Sequence, residues 1–245
     1  MVLSRLNTLF RQFGPLAGAG YLIAEGARKL VDPNSGLSYA QSGEDRFITA
    51  ILGQRSGFYV DVGCNHPIQH SNTFALYKSG WTGLVVDANP DLIALHRSRR
   101  RRDKQVCAVV SSIDGEVEFT EFDDTNLSSL DPEHVRYWKA TRPVKRVRKA
   151  AAVQLTTLLE QHGAPSRFDL LSVDVERHDL EVLRSLDFER YRPELIVVEM
   201  RKLDLAEVES NPIYQLLTGT GYGLIGYAIN NGYFLDLRAP AHRQP

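Results

Sequence analysis

Residues 57–66, GFYVDVGCNH, decide the fold, because an apolar run ends there in a carboxylate and a glycine. The segment Phe58–Val62 predicts a buried strand that carries Asp61, and Gly63 predicts a tight turn directly after it. Glycine adopts left-handed backbone conformations and allows another segment to approach closely. The combination indicates a ligand-binding turn at the carboxyl end of a strand in an α/β fold.

Three later apolar runs also end in acid. GLVVD ends at Asp87 and LIVVE ends at Glu199. Between them, LLSVDVE carries Asp174 and Glu176. Carboxylates are costly in an apolar core unless paired, and the carboxyl ends of parallel strands meet at one edge of a sheet. We therefore predict that these acids face a polar or cationic ligand. The alternative is that they cap helix N-termini or pair with arginine.

Apolar runs alternate with helical patterns from Tyr39 onward, which predicts an α/β fold with a mostly parallel sheet. An antiparallel C-terminal hairpin is expected around Asn230–Gly232. The predicted strands are 58–62, 83–87, 105–110, 115–122, 168–175, 195–200, 222–228 and 233–237. The predicted helices are 72–79, 90–100, 154–161, 180–186 and 212–218. Residues 1–37 are expected to form a helical appendage and 38–245 the main domain, within which the polar and basic residues 123–150 form an insertion or lid.

The composition favours a cytoplasmic protein that binds no nucleic acid. A formal net charge of −1 gives no global field that would attract a polyanion. Cys64 and Cys107 show no metal-ligand spacing and are expected to be free thiols in a reducing compartment. No apolar run is long enough for a transmembrane helix. The apolar segment 13–24 favours a helix packed on the domain or on a partner. Peripheral membrane contact through residues 1–30 and a cleaved signal are its alternatives.

The first turn also indicates the class of cofactor. Asp87 ends the second strand, where nucleotide-binding α/β folds place an acid that binds the ribose hydroxyls. The turn DVGCNHP contains one glycine and lacks the G-x-G-x-x-G fingerprint of diphosphate binding. An adenosine cofactor without phosphates is therefore favoured over NAD.

Four segments together identify a family. They are YAQSGEDRFI (39–48), GFYVDVGCNHPIQHSNT (57–73), GWTGLVVDANP (80–90) and FDLLSVDVERHDLEVL (168–183). In this order the chain resembles the FkbM family of S-adenosylmethionine-dependent methyltransferases from Tyr39 to the C-terminal hairpin. The resemblance implies a Rossmann-like class I methyltransferase fold and O-methylation of sugars or natural products.

The resemblance also implies a set of residues near S-adenosylmethionine, with Asp87 as the ribose-binding acid. Asn72 and Thr73 begin a helix whose free N–H groups would meet the cofactor carboxylate, or simply cap it. The predicted cofactor-binding residues are Gln41, Ser42, Glu44, Asp61, Gly63, Asn65, Asn72, Thr73, Asp87 and Ser111. Asp174 and Glu176 match a D-V-E-G motif in which Arg177 replaces glycine. This arginine is expected to fill part of the acceptor pocket or to pair with Glu176.

The predicted catalytic residues are Asp174, Glu176, His178 and Glu199. The three acids would hold Mg²⁺ or Ca²⁺ or orient acceptor hydroxyls directly, and His178 is the leading candidate for a general base. His66 and His70 are further candidates for lining the pocket. A structural or surface role is the alternative for each of these histidines.

Two features outside these motifs are assigned to the acceptor. The basic segment Arg142–Lys149 is expected to recognise an anionic acceptor, and Tyr137 and Trp138 to stack on a sugar ring; a helix that packs with its aromatic residues is the alternative. The run Arg97–Lys104 is interpreted as a solvated helix end, with contact to an anionic lipid, a glycan or nucleic acid as its alternatives.

These features predict an S-adenosylmethionine-dependent O-methyltransferase. Its partner would be a small-molecule or glycan acceptor: a sugar, glycolipid precursor or glycosylated natural product. The alternatives are a nicotinamide-dependent oxidoreductase on the same fold, a non-catalytic glycan- or cofactor-binding module and, less favoured, an RNA methyltransferase. The sequence predicts no oligomeric state.

Overall fold

The computed structural model describes residues 38–238 except 54, 114 and 124–126, together with five positions between 14 and 23. Except for those five positions, the predicted appendage and its membrane contact lie outside the described residues. The chain divides into two compact units, Met1–Ser38 and Tyr39–Pro245. In the part of the chain that is described, no helix has the length and apolar character needed to cross a membrane.

The second unit alternates strands and helices along most of its length. Its strands are β1 (Phe58–Val62), β2 (Thr82–Asp87), β3 (Lys104–Cys107), β4 (Val109–Val110), β5 (Gly115–Phe122), β6 (Val144–Val153), β7 (Arg167–Val173), β8 (Arg192–Glu199), β9 (Tyr222–Ala228) and β10 (Asn231–Asp236). Its α-helices are α1 (Glu44–Leu52), α2 (Phe74–Lys78), α3 (Pro90–Arg99), α4 (Pro132–Lys139), α5 (Leu155–Gln161), α6 (Asp179–Arg184) and α7 (Pro212–Gly219), with a 3₁₀ helix at Leu205–Ser210.

Seven strands form the main sheet in the order β3-β2-β1-β7-β8-β10-β9. The first five are parallel, whereas β10 runs antiparallel to both β8 and β9. This arrangement confirms the predicted class I methyltransferase fold with its antiparallel C-terminal hairpin. The strand order reverses between β1 and β7, and in such sheets a crevice for ligands opens at the carboxyl ends of the strands there.

Alternating side chains bury both faces of this sheet. Val60 and Val62 of β1 belong to one apolar cluster with residues of α5, α6 and α7. Tyr59, which directly precedes Val60 and therefore points to the opposite face, belongs to a second cluster with residues of α1 and α2. Burial on both faces explains why these strands are nearly continuous apolar runs, since parallel sheets are covered by helices on each side.

The predicted strand 105–110 is wrong as a single element. It divides into β3, at the edge of the main sheet, and β4, which joins a second sheet in the order β4-β6-β5. The basic segment 142–149 belongs largely to β6, which pairs antiparallel with β5 over its whole length. The charged residues at 145, 146, 148 and 149 give no alternating apolar pattern, so the sequence does not predict this strand. Acids of β5 that only the fold brings close hold three of these cations.

The hairpin turn lies one residue earlier than predicted, at Ile229–Asn230, since Asn231 pairs with Ala228. Asn231 is drawn into the strand by a buried contact, in which its Nδ2 donates to Glu44 Oε1 at 3.1 Å.

Candidate functional site

A cavity of about 880 Å³, including the open space at its mouth, lies at the carboxyl ends of β1, β2 and β7. Apolar side chains from β2, α3 and the second sheet form part of its wall, among them Val86, Leu92, Val109 and Phe119. The predicted site residues that line the cavity are Gln41, Gly63, Asn65, Asp87, Asp174, Glu176 and His178. Those that do not line it are Ser42, Glu44, Asp61, Asn72, Thr73, Ser111 and Glu199.

Gly63 brings the ends of β1 and β7 together at the floor of the cavity. Its φ is +80°, in the left-handed region, and a Cβ there would lie 1.8 Å from the carbonyl oxygen of Asp174. Its N–H donates to Val86 O at 2.9 Å. No side chain fits this position, so glycine is required both for the backbone conformation and for the close approach.

Asp87 presents a carboxylate to the cavity from the end of β2. Its Oδ2 accepts from the Asn65 N–H at 2.9 Å and its Oδ1 accepts from the Asn89 N–H at 2.7 Å. Burial raises the pKa of Asp87 to about 6, although these two hydrogen bonds oppose the shift. Each oxygen keeps a further acceptor site, which suits it to a vicinal diol such as that of a ribose.

Asp61 lies away from the cavity, in a buried polar network beneath the first turn. Its Oδ2 accepts from Thr73 Oγ1 at 2.5 Å, and Arg100 Nη2 donates to that hydroxyl at 2.9 Å. Arg100 is fully buried and also pairs with Asp103 at 2.7 Å. Asp61 and Thr73 thus support the turn from below. The interpretation of the 97–104 run as wholly solvated is wrong for Arg100.

The remaining predicted cofactor residues outside the cavity hold neighbouring segments. Glu44 is buried and accepts from the N–H of Ser42 at 2.8 Å, in addition to its bond with Asn231. Asn72 Nδ2 donates to Ser172 Oγ at 3.2 Å, which ties the loop before α2 to β7.

Three acidic side chains, two of which line the cavity, lie near one arginine. Arg201 Nη2 donates to Glu176 Oε2 at 2.8 Å, and its Nε lies 2.7 Å from Glu199 Oε1. Burial, with the charges of Glu199, Asp179 and Glu176, raises the pKa of Asp174 well above its usual range. Arg201 was not predicted. Its sequence signal is its position two residues after the acidic end of LIVVE.

This arrangement bears on the predicted metal ligands Asp174, Glu176 and Glu199. Among the described residues, no group of three or more His, Cys, Asp and Glu side chains has an arrangement that could hold a metal ion. The guanidinium of Arg201 instead contacts two of the three acids, so an organic cation compensates charge there.

His178 also lines the cavity, and its Nε2 lies 3.2 Å from the Oγ of the buried Ser111. Burial lowers the pKa of His178, which keeps its imidazole neutral near pH 7. A neutral ring held by a hydroxyl is suited to accept a proton. His70 also lines the cavity, whereas His66 Nδ1 accepts from the N–H groups of Ile68 and Gln69.

Arg177 neither fills the cavity nor pairs with Glu176. Its side chain is exposed, and its Nη1 lies 3.6 Å from Asp131 Oδ1. Its φ is +75° and that of Glu176 is +52°, which accounts for the glycine that the family motif has at position 177. The neighbouring Ser129 Oγ donates to Glu176 O at 2.7 Å, so the 127–131 segment is fastened to this loop.

The residues assigned to the acceptor from the basic and aromatic segments lie outside the cavity lining. Arg146 and Arg148 pair with the buried Glu121 at 2.8 and 2.6 Å. Tyr137 is exposed and makes an edge contact with Trp138 at a centroid distance of 5.0 Å.

The cavity suits an adenosine cofactor. Asp87 provides paired acceptors for a ribose, Gly63 allows the ends of β1 and β7 to approach at the floor, and Leu92 with Val109 forms an apolar wall for a base.

Several solved structures are similar to this chain at low sequence identity. The solved structures that match include a TehB-like SAM-dependent methyltransferase from Corynebacterium glutamicum, with 14% identity and a TM-score of 0.41, covering 88% of this chain and 97% of that one. Monomeric WbdD matches with 15% identity and a TM-score of 0.43, covering 83% and 43%. Burkholderia thailandensis 1,6-didemethyltoxoflavin-N1-methyltransferase matches with 14% identity and a TM-score of 0.41, covering 88% and 86%. These similarities are too low to carry a functional argument.

Among curated proteins, none matches the sequence. The family model of the methyltransferase FkbM domain matches residues 61–224, more than half of the chain, from the first acidic strand end to the C-terminal hairpin. The chain belongs to the FkbM methyltransferase family.

Proposed function

We propose that this methyltransferase uses S-adenosylmethionine to methylate a hydroxyl group of a sugar, glycolipid precursor or glycosylated natural product. The observation that carries the proposal is one cavity lined both by Asp87 and Gly63, after β2 and β1, and by Asp174, Glu176 and His178, after β7. The first pair suits a nucleoside. The second group suits an acceptor rich in hydroxyl groups.

S-adenosylmethionine supplies an electrophilic methyl group when bound. Asp87 then accepts from the ribose hydroxyls, and the apolar wall covers the base. Because methyl transfer is an in-line displacement, much of the rate comes from aligning the acceptor oxygen with the methyl group. Asp174 and Glu176 are placed to fix that alignment by accepting hydrogen bonds from acceptor hydroxyls.

The acceptor hydroxyl must also lose its proton as the new bond forms. His178 has a neutral imidazole that lines the cavity, and Ser111 Oγ holds its Nε2. A general base of this kind contributes about 10²–10⁴-fold to a rate. We assign the proton to His178 and the hydrogen bonds that orient the sugar to the two acids.

A screen of sugar acceptors with a labelled methyl donor tests the reaction. Asp174→Asn and Glu176→Gln should lower turnover by about tenfold or more while changing the affinity for S-adenosylhomocysteine less. Asp87→Ala should do the reverse. Small and equal effects of all three substitutions would contradict these roles.

The two main alternatives make different predictions. Calorimetric titration with S-adenosylhomocysteine and with NAD separates a methyltransferase from a nicotinamide-dependent enzyme, and we expect binding of the former alone. A non-catalytic module was suggested by Arg177 closing the site. That reason is removed, because Arg177 is exposed and does not line the cavity.

A further inference from the structure

The charge on the cavity lining limits what the acceptor can be. Three carboxylates line the cavity, those of Asp87, Asp174 and Glu176, and no lysine or arginine among the described residues does. Arg201 touches Glu176 and Glu199 without being part of the lining. The free Oε2 of Glu199 is buried and has no hydrogen-bond partner among the described residues. The acceptor end therefore has three acidic side chains, Asp174, Glu176 and Glu199, around the single cation of Arg201.

The basic strand β6 does not offset this charge. Arg146 and Arg148 are both held by Glu121 of β5. Lys149 pairs with Glu116 at 2.6 Å. Two acids of β5 thus hold these three cations, and none of the three lines the cavity, so the segment that the sequence assigned to an anionic acceptor presents no cation there.

We infer that the acceptor is an amine-bearing polyol, such as an amino sugar, and that phosphorylated and nucleotide-linked sugars are excluded from the cavity. The inference rests on the proposed function and narrows its substrate class. An ammonium group beside Glu176 would be attracted by the opposite charge of the carboxylate. A phosphate group would be repelled by the acidic side chains, with no lysine or arginine among the described lining residues to attract it. Like charges held together in this way oppose binding strongly.

The state of Asp174 supports the inference. Burial and three acidic neighbours (Glu199, Asp179 and Glu176) raise its pKa, and Arg201 opposes them only in part. A nearby cation lowers the pKa of such a carboxyl group, because it stabilises the carboxylate form, and the group then releases its proton. Binding of an ammonium group should therefore release protons, which calorimetry in buffers of different ionisation enthalpy detects.

The test uses three probes that differ at one carbon atom: a methyl hexoside, its amino analogue and its phosphate ester. Binding of each is measured by calorimetry to the full chain saturated with S-adenosylhomocysteine at pH 7. We expect the amino analogue to bind about tenfold more tightly than the neutral hexoside, and the phosphate ester more weakly than both. Glu176→Gln should reduce the preference for the amine about threefold or more. Arg201→Met should increase the preference for the amine, because Glu176 then loses the guanidinium that pairs with it.

The matched control is Glu118→Gln, which removes one negative charge from an exposed position on β5 outside the cavity. Equal effects of Glu176→Gln and Glu118→Gln would overturn the inference, as would tighter binding of the phosphate ester or no binding of any probe. Methyl transfer to the phosphate ester but not to the amine would overturn the inference and leave the proposed function standing. The expected binding order without methyl transfer to any hydroxyl acceptor would leave the inference standing and overturn the proposed function.

Discussion

Gly63→Ala tests the requirement for glycine at the floor of the cavity. Two terms contribute to the expected loss of stability. A left-handed backbone at a residue other than glycine costs about 1–2 kcal/mol. The new Cβ would lie 1.8 Å from Asp174 O, which forces a shift of the β7 end, and overpacking of this kind costs about 1–3 kcal/mol. Alanine recovers about 0.4–1 kcal/mol by restricting the unfolded chain. The net loss is about 3 kcal/mol, small enough for most domains to remain folded.

Gly80→Ala is the matched control, since Gly80 has a φ of +95° and no atom within 4 Å of an added Cβ. Chemical unfolding should show a loss of about 1 kcal/mol at most for this variant, which isolates the backbone term. Titration with S-adenosylhomocysteine should show an affinity at least about tenfold lower for Gly63→Ala, because the turn is displaced and with it the Asn65 N–H that holds Asp87, and an unchanged affinity for Gly80→Ala. Equal losses of stability and unchanged affinity in both variants would refute the reasoning.

The backbone and the buried charges support four further predictions. The affinity for S-adenosylhomocysteine should rise as the pH rises through about 6, where Asp87 ionises, and Asp87→Asn should abolish this dependence. Between pH 3.8, the ordinary pKa of an aspartic acid, and about 6, the free protein should lose stability as the pH rises, because the folded state holds the Asp87 proton more tightly than the unfolded chain does. Arg177→Gly should be more stable than Arg177→Ala by about 1 kcal/mol in chemical unfolding, the reverse of the usual order, since φ is +75° there. Arg100→Met should cost about 3–5 kcal/mol, because it leaves Asp103 buried without its cation, whereas Arg99→Met, at an exposed position of the same run, should change stability by about 0.5 kcal/mol or less.

The sheet could be predicted because each central strand is an apolar run closed by an acid or a turn. β5 and β9 were predicted with their observed bounds, and β1 likewise. β6 could not be predicted in this way, since its stability depends on charge pairs with β5. Glu121, which holds Arg146 and Arg148, is separated from them by the whole of α4 and its flanking loops.

The buried arginine was missed for a related reason. Four consecutive arginines end near α3, and composition alone treats them alike. Only Arg100 of the four is buried. Its Nη2 donates to the Tyr59 hydroxyl and its Nε to Asp103 Oδ2, each at 2.7 Å. The partners come from β1 and from the turn after α3, so the choice among the four belongs to the fold and not to the run itself.

The acids at the strand ends have two different roles, depending on whether the acid lies within the hydrogen-bonded part of its strand or after it. Asp61 is still within β1 and pairs in register with Val85 and Ser172, so the pleat directs its side chain to the sheet face beneath the turn. Asp174 follows the last paired residue of β7, and there the turn, not the pleat, directs the side chain into the cavity. A shared motif of apolar run and acid thus produces a supporting role in one strand and a ligand-facing role in another. The register of each acid against its neighbours decides between the two, and we expect Asp61 to affect cofactor binding only through the loop that Thr73 holds.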